Sequence, residues 1–246
     1  MDKANYNFIN KNISIKNSNI SNSTDILVIM ASGIAGDKDI SLIRDSQKYL
    51  SKVADTLTIQ YAKEDKDITL KLCLDSFKHI SKELNFNKYK RIVYIGHSFQ
   101  AITGLYLLKH IDKSINSKLE LIFWDAATTD NLLDNFESYF DLVRDVYTLK
   151  DMYIGKNKNN KIYFNKKLIQ ELRSFDSIAT FKSIQHDMLI ISAAHAGLYI
   201  SDIYVQATKE AKLNLTHKVI QNCGHMFGTT RARSQLLKVT REFIKT

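Results

Sequence analysis

A serine hydroxyl is a poor nucleophile at neutral pH. It attacks a carbonyl only where a base can take its proton and backbone N–H groups can hold the oxyanion that forms. The stretch Arg91-Ile-Val-Tyr-Ile-Gly96-His97-Ser98-Phe99-Gln100-Ala101 meets the local part of that demand. An apolar run of strand character enters Gly96-His97-Ser98 and passes directly into a helical pattern. A strand–Gly-x-Ser–helix junction pushes the serine out on a tight turn, and the helix N-terminus aims the N–H of Phe99 at the developing charge.

The elements that must position such a serine alternate along the chain. Asp25–Ala31, Thr56–Tyr61, Arg91–Ile95, Leu119–Trp124, Met188–Ser192 and Leu215–Gln221 read as strands. Helical patterns cover Asp39–Ala54, Asp67–Leu84, Phe99–His110 and Thr230–Ile244. Strands this apolar are covered on both faces, which predicts an α/β fold: a mostly parallel central sheet with helices on both faces. The rhythm breaks at residues 126–185, where helical patterns at 130–149 and 165–183 flank a Lys/Asn-rich loop around Gly155. The expected organisation is a core of residues 1–125 and 186–246 with a helical cap insertion at 126–185. Aromatic residues of that insertion, Phe136, Phe140, Tyr147 and Phe164 among them, suit either an acyl pocket or packing of the cap.

On these residues the chain resembles the α/β-hydrolase superfamily, in its serine esterase and thioesterase branches. The Gly-x-Ser-x-Gly elbow is present as Gly96-His97-Ser98-Phe99-Gln100, with Gln100 where the family has glycine. Ala101 and Gly104 are candidates for the close packing that glycine would give. The resemblance implies Ser98 as nucleophile and an oxyanion hole built from the N–H groups of Phe99 and Ile34. Ile34 lies in Ala31-Ser32-Gly33-Ile34-Ala35-Gly36, a segment similar to the family's His-Gly-x-x-Gly turn. It also implies His225 as general base, since Gly224-His225 lies between the last strand and the final helix as in the family. His97 flanks the nucleophile, with its side chain expected to point away from Ser98.

The acid of the implied triad is open. Its usual turn, after the Met188 strand, reads Ser192-Ala-Ala-His-Ala-Gly197 and holds no carboxylate. Asp125, ending the Leu119–Trp124 strand where some branches carry the acid, is the first candidate. Asp202 is the alternative, although helix capping is its plainer role. The chain order serine, carboxylate, histidine holds for the pair Asp125 and His225; with Asp202 it holds equally.

Composition bounds the rest. The 246 residues are 44% hydrophobic and 25% charged, with a formal net charge of +9. That excludes a disordered chain, a collagen and a coiled coil. No apolar run reaches the ~18–20 residues of a membrane span. Met1–Ser23 lacks the apolar core of a signal peptide. Two cysteines cannot make a disulfide framework, so a reducing cytoplasm is expected. Positive charge concentrates at 150–173 and in the last sixteen residues, which suits solvated helix faces or an acidic acyl carrier protein. No nucleic-acid motif is present, no Cys-x-x-Cys or His-x-His cluster suggests a metal, and no phosphate loop suggests a nucleotide; no cofactor is expected. Proline is absent, where average usage would give about twelve.

The expected function is therefore hydrolysis or acyl transfer on a small-molecule ester or thioester through an acyl-enzyme on Ser98. Two alternatives stand beside it. A degenerate hydrolase frame could bind a ligand, which Gln100 and the missing turn acid motivate, or a shifted acid could serve lactone formation or cyclisation in a biosynthetic pathway.

Overall fold

A computed structural model describes residues 7–10, 13–20, 24–31, 40–61, 67–134, 136–149, 163–195, 202–211 and 213–246. The strands among them are β1 (Asn7–Asn10), β2 (Ile13–Asn19), β3 (Ile26–Ala31), β4 (Asp55–Gln60), β5 (Arg91–His97), β6 (Leu119–Trp124), β7 (Phe140–Val143), β8 (Val146–Leu149), β9 (Tyr163–Asn165), β10 (Met188–Ala193) and β11 (Leu215–Ile220). The helices are α1 (Ile40–Leu50), α2 (Leu70–Glu83), α3 (Gln100–His110), α4 (Lys113–Asn116), α5 (Thr129–Leu133), α6 (Phe136–Tyr139), α7 (Lys166–Arg173), α8 (Ser177–Lys182), α9 (Asp202–Ala211) and α10 (Thr230–Lys245).

One eight-stranded sheet has the order β1-β2-β4-β3-β5-β6-β10-β11. From β4 to β11 its six strands run parallel, while β1 and β2 add an antiparallel edge. This edge lies in the Asn/Ser/Lys-rich N-terminal stretch, where no strand is expected. An edge strand needs only modest apolar content, and Ile13 and Ile15 are the trace of alternation in β2.

The sheet divides the core in two, and strand alternation assigns each residue its side. Val28, Met30, Val93, Ile95, Ile122, Trp124 and Ile191 face Leu42 and Leu50 of α1 and Leu236 and Ile244 of α10. Ile29, Tyr94, Phe123 and Ile190 face Phe77 of α2, Ile102 of α3, Leu168 of α7, Phe181 of α8 and Tyr204 of α9. Each such fully buried side chain contributes about 1.5–3 kcal/mol. With no proline to start them, several helices begin on side-chain caps. Thr69, Asp176 and Thr229 accept from the N–H groups of Leu72, Ala179 and Ala232.

Residues 126–185 differ from expectation. Helices α5 to α8 are present, but residues 140–149 form a hairpin, and β7, β8 and β9 make a separate antiparallel sheet. Aromatic and β-branched residues favour strands there, and Arg144 turns the hairpin at φ 57°. Phe136 stacks on Phe140 at 4.5 Å and meets Tyr147 edge-on at 5.0 Å, so these rings pack on one another. Among the described residues no helix is long and apolar enough to cross a membrane.

Candidate active site

Ser98, Asp125 and His225 all follow the C-terminal ends of parallel strands, β5, β6 and β11. Open α/β sheets place their ligand crevices at that edge. The strand–helix turn at Ser98 is as tight as the sequence implies: β5 ends at His97, α3 starts at Gln100, and Ser98 is half-buried at φ 54°. A Cβ on Gly96 would lie 2.7 Å from the nitrogen of Ala101 and 2.7 Å from the Gln100 carbonyl oxygen, so only glycine lets α3 fold back over β5. Gly104 does the same further along, where a Cβ would press on the Tyr94 ring at 3.0 Å.

Gln100 is accommodated without a glycine. Its side chain is fully buried, and its Oε1 accepts a 3.0 Å hydrogen bond from the Tyr94 hydroxyl on β5. The amide is folded back beneath the turn. Phe99, the N-cap of α3, has no side-chain acceptor for the first helical amides.

Asp125 is 2% exposed, at φ 43°. A buried carboxylate requires partners, and each oxygen has one. Oδ1 accepts from the N–H of Ala193 at 3.2 Å, and Oδ2 lies 2.5 Å from Nδ1 of His225. The carboxylate holds the imidazole proton on Nδ1 and leaves the Nε2 lone pair to accept another. The His225 side chain is 29% exposed, so the imidazole is not sealed in the core. Ser98 is locked to the same turn through its backbone. Its N–H donates to the Trp124 carbonyl at 3.1 Å and its carbonyl accepts from Ala127 at 3.1 Å, bracketing Asp125 on both sides.

Four of the six non-glycine residues at positive φ among those described fall on these segments: Ser98, Asp125, Asn222 and Phe227. Each costs on the order of 1–3 kcal/mol and persists only where its surroundings over-determine it. Cross-links supply this: His195 N–H to Cys223 O at 3.0 Å, Ala194 N–H to Ile220 O at 3.0 Å, and Phe227 N–H to Gly224 O at 2.9 Å.

The other expected residues separate from this group. Asp202 is exposed in the first turn of α9, where its charge acts on His217, while Asp125 is the carboxylate that lies against the His225 imidazole. Burial, then the Asp125 charge, pushes the Cys223 thiol above its ordinary pKa, which keeps it protonated. Ile34 lies outside the described residues, as does most of the Lys-rich loop behind the acyl-carrier expectation. His97 is the residue that sequence reasoning left without a role. The signal was its parity on β5: alternation turns it to the side of Val93 and Ile95, where the His225 loop packs.

No protein-family model matches the chain, and no curated protein matches it. Solved structures do. The chain is similar to Est1E from Butyrivibrio proteoclasticus, with a TM-score of 0.73 and 14% identity over 97% of this chain and 96% of that one. Alpha/beta hydrolase domain-containing protein 10 from mouse gives 0.67 and 12% over 98% and 99%. The esterase domain of a Rhodothermus marinus protein gives 0.67 and 9% over 91% and 88%. Parallel sheet, strand order and these likenesses agree: the chain has the α/β-hydrolase fold.

Proposed function

We propose that the chain is a serine hydrolase or acyltransferase acting on small-molecule esters or thioesters. The observation that carries this reading is the 2.5 Å contact between His225 Nδ1 and the buried Asp125 carboxylate, beside a serine on a strained strand–helix turn. Ser98 Oγ attacks the carbonyl carbon while His225 Nε2 takes its proton. The oxyanion is received by the N–H of Phe99 and that of Ile34. Collapse expels the alcohol or thiol with the proton from His225, leaving an acyl-enzyme on Ser98. Water or another acceptor, deprotonated by His225, attacks the acyl carbon, and collapse breaks its bond to Ser98 Oγ, which takes the proton back from His225. Asp125 keeps the imidazole in one tautomer and stabilises the imidazolium. Residues 126–185 act as the cap over this crevice. The unpaired buried thiols of Cys73 and Cys223 support a reducing cytoplasm as its location.

The test is a fluorophosphonate probe read by intact mass, with Ser98→Ala in parallel. One adduct per chain, absent from Ser98→Ala, is expected. A folded protein that takes no adduct overturns the reading and favours ligand binding on a hydrolase frame. A panel of acyl esters and thioesters then defines the substrate. Feruloyl esters belong in it because Est1E has been solved with ferulic acid bound.

A further inference from the structure

The loop that presents His225 is held at both ends by unfavourable backbone. Asn222 at φ 56° and Phe227 at φ 47° are both non-glycine residues in the left-handed region. The Phe227 side chain is fully buried, and the 223–224 backbone is tied to His195 and Phe227. These ties flank His225 without touching its own peptide.

His97 touches it. This side chain is 2% exposed, and its Nε2 lies 3.0 Å from the carbonyl oxygen of His225. A carbonyl only accepts, so that nitrogen carries a hydrogen and donates it. The His97 ring also lies against the His225 ring, with centroids 4.6 Å apart and planes 33° apart, and meets Phe227 edge-on at 6.5 Å. One side chain therefore grips the base by its backbone and covers one face of its ring. It does so from the residue next to the nucleophile, so serine and base share a rigid link that bypasses the rest of the loop.

We propose that His97 is a positioning residue of this site: its Nε2–H and its ring hold His225 in register with Asp125 and Ser98. The proposal rests on the reading of Ser98 as nucleophile and His225 as base. His97 touches no reacting atom and acts only through His225. Loss of the hydrogen bond lets the strained loop relax, and the imidazole drifts from the serine while the substrate crevice is left intact.

The experiment compares His97→Phe, which keeps a ring and loses the donor, with His97→Gln, which keeps a donor at similar reach. Each is measured for the fluorophosphonate labelling rate at Ser98, for kcat and KM on an ester the wild type turns over, and by proton NMR for the far-downfield Nδ1–H between His225 and Asp125. His97→Phe is expected to label about tenfold more slowly, the equivalent of one buried hydrogen bond. Its kcat falls in step, its KM stays within about twofold and its downfield signal broadens or vanishes. His97→Gln recovers most of the rate and the signal. Wild-type labelling by His97→Phe with an intact signal would falsify the proposal, and so does an equal loss in both variants, which marks mere packing. A KM effect with unchanged kcat also overturns it. If the wild type itself takes no adduct, the functional reading has failed, and the NMR comparison alone still decides whether His97 holds His225.

Discussion

Serine, histidine and aspartate converge twice at this edge of the sheet. At one place the Asp125 carboxylate contacts His225, and the residues on either side of Asp125 are bonded to the Ser98 backbone; at the other Ser192 Oγ lies 2.9 Å from His217 Nε2, and the charge of Asp202 reaches that imidazole. The second group has the right residue types and a short contact, yet lacks two features of the first. Ser192 sits within β10, 8% exposed, whereas Ser98 stands on a turn at φ 54° before a helix N-terminus. His217 has a hydroxyl as its partner, and burial pushes its pKa below the ordinary value. His225 has a buried carboxylate against its Nδ1. Proximity of residue types does not distinguish the two; the turn and the carboxylate do.

The difference is tested most strongly at the serines. Ser98→Ala should abolish probe labelling and lower kcat by ~10⁴-fold or more. Ser192→Ala should leave both within about twofold, and silencing by Ser192→Ala would move the nucleophile to β10. At the carboxylates, Asp125→Asn should cost ~10⁴-fold in kcat through the wrong imidazole tautomer. Asp202→Asn should stay within about threefold, and a reversed order would return the acid to α9. Tyr94→Phe removes one hydrogen bond from Gln100 under the turn, and should lower stability by about 1–2 kcal/mol in a urea titration.

The smallest effect concerns His217. Its folded pKa is depressed, so below the unfolded value the unfolded chain binds a proton that the fold resists, and stability falls as pH drops through that range. His217→Gln should flatten that part of the stability–pH curve just below the ordinary histidine pKa of about 6.5. Thermal melts at several pH values measure it, and an unchanged slope would remove His217 from the account.

Four of the six parallel strands, β3, β5, β6 and β10, were legible because burial on both faces writes them as almost unbroken apolar runs, as in Leu119–Trp124, while β4 and β11 mix apolar with polar residues and were read from their β-branched content. β1 and β2 were not, since an edge rich in Asn, Ser and Lys carries little such signal. Nor were β7 to β9, each three or four residues long and packed through rings on one another. The elbow could be read from Gly96 and Ser98 because sterics demand that spacing. Chain order left Asp125 and Asp202 equal, because which carboxylate lies against His225 depends on which strands are neighbours. β6 lies between β5 and β10, which sets Asp125 within reach of both Ser98 and His225, and strand order is a property of the sheet alone. The fate of Gln100 was likewise hidden until Tyr94 was seen beneath it.

Strand order also sets a timetable. β5 and β6 are neighbours separated by one helical connection, so a chain leaving the ribosome can pair them as soon as both have emerged. β11 joins the sheet through β10 alone, some ninety residues later, and His225 follows it. During synthesis the segments of Ser98 and Asp125 thus emerge well before the segment of His225. On the function proposed above, Ser98 gains its base only when the last parallel strand docks.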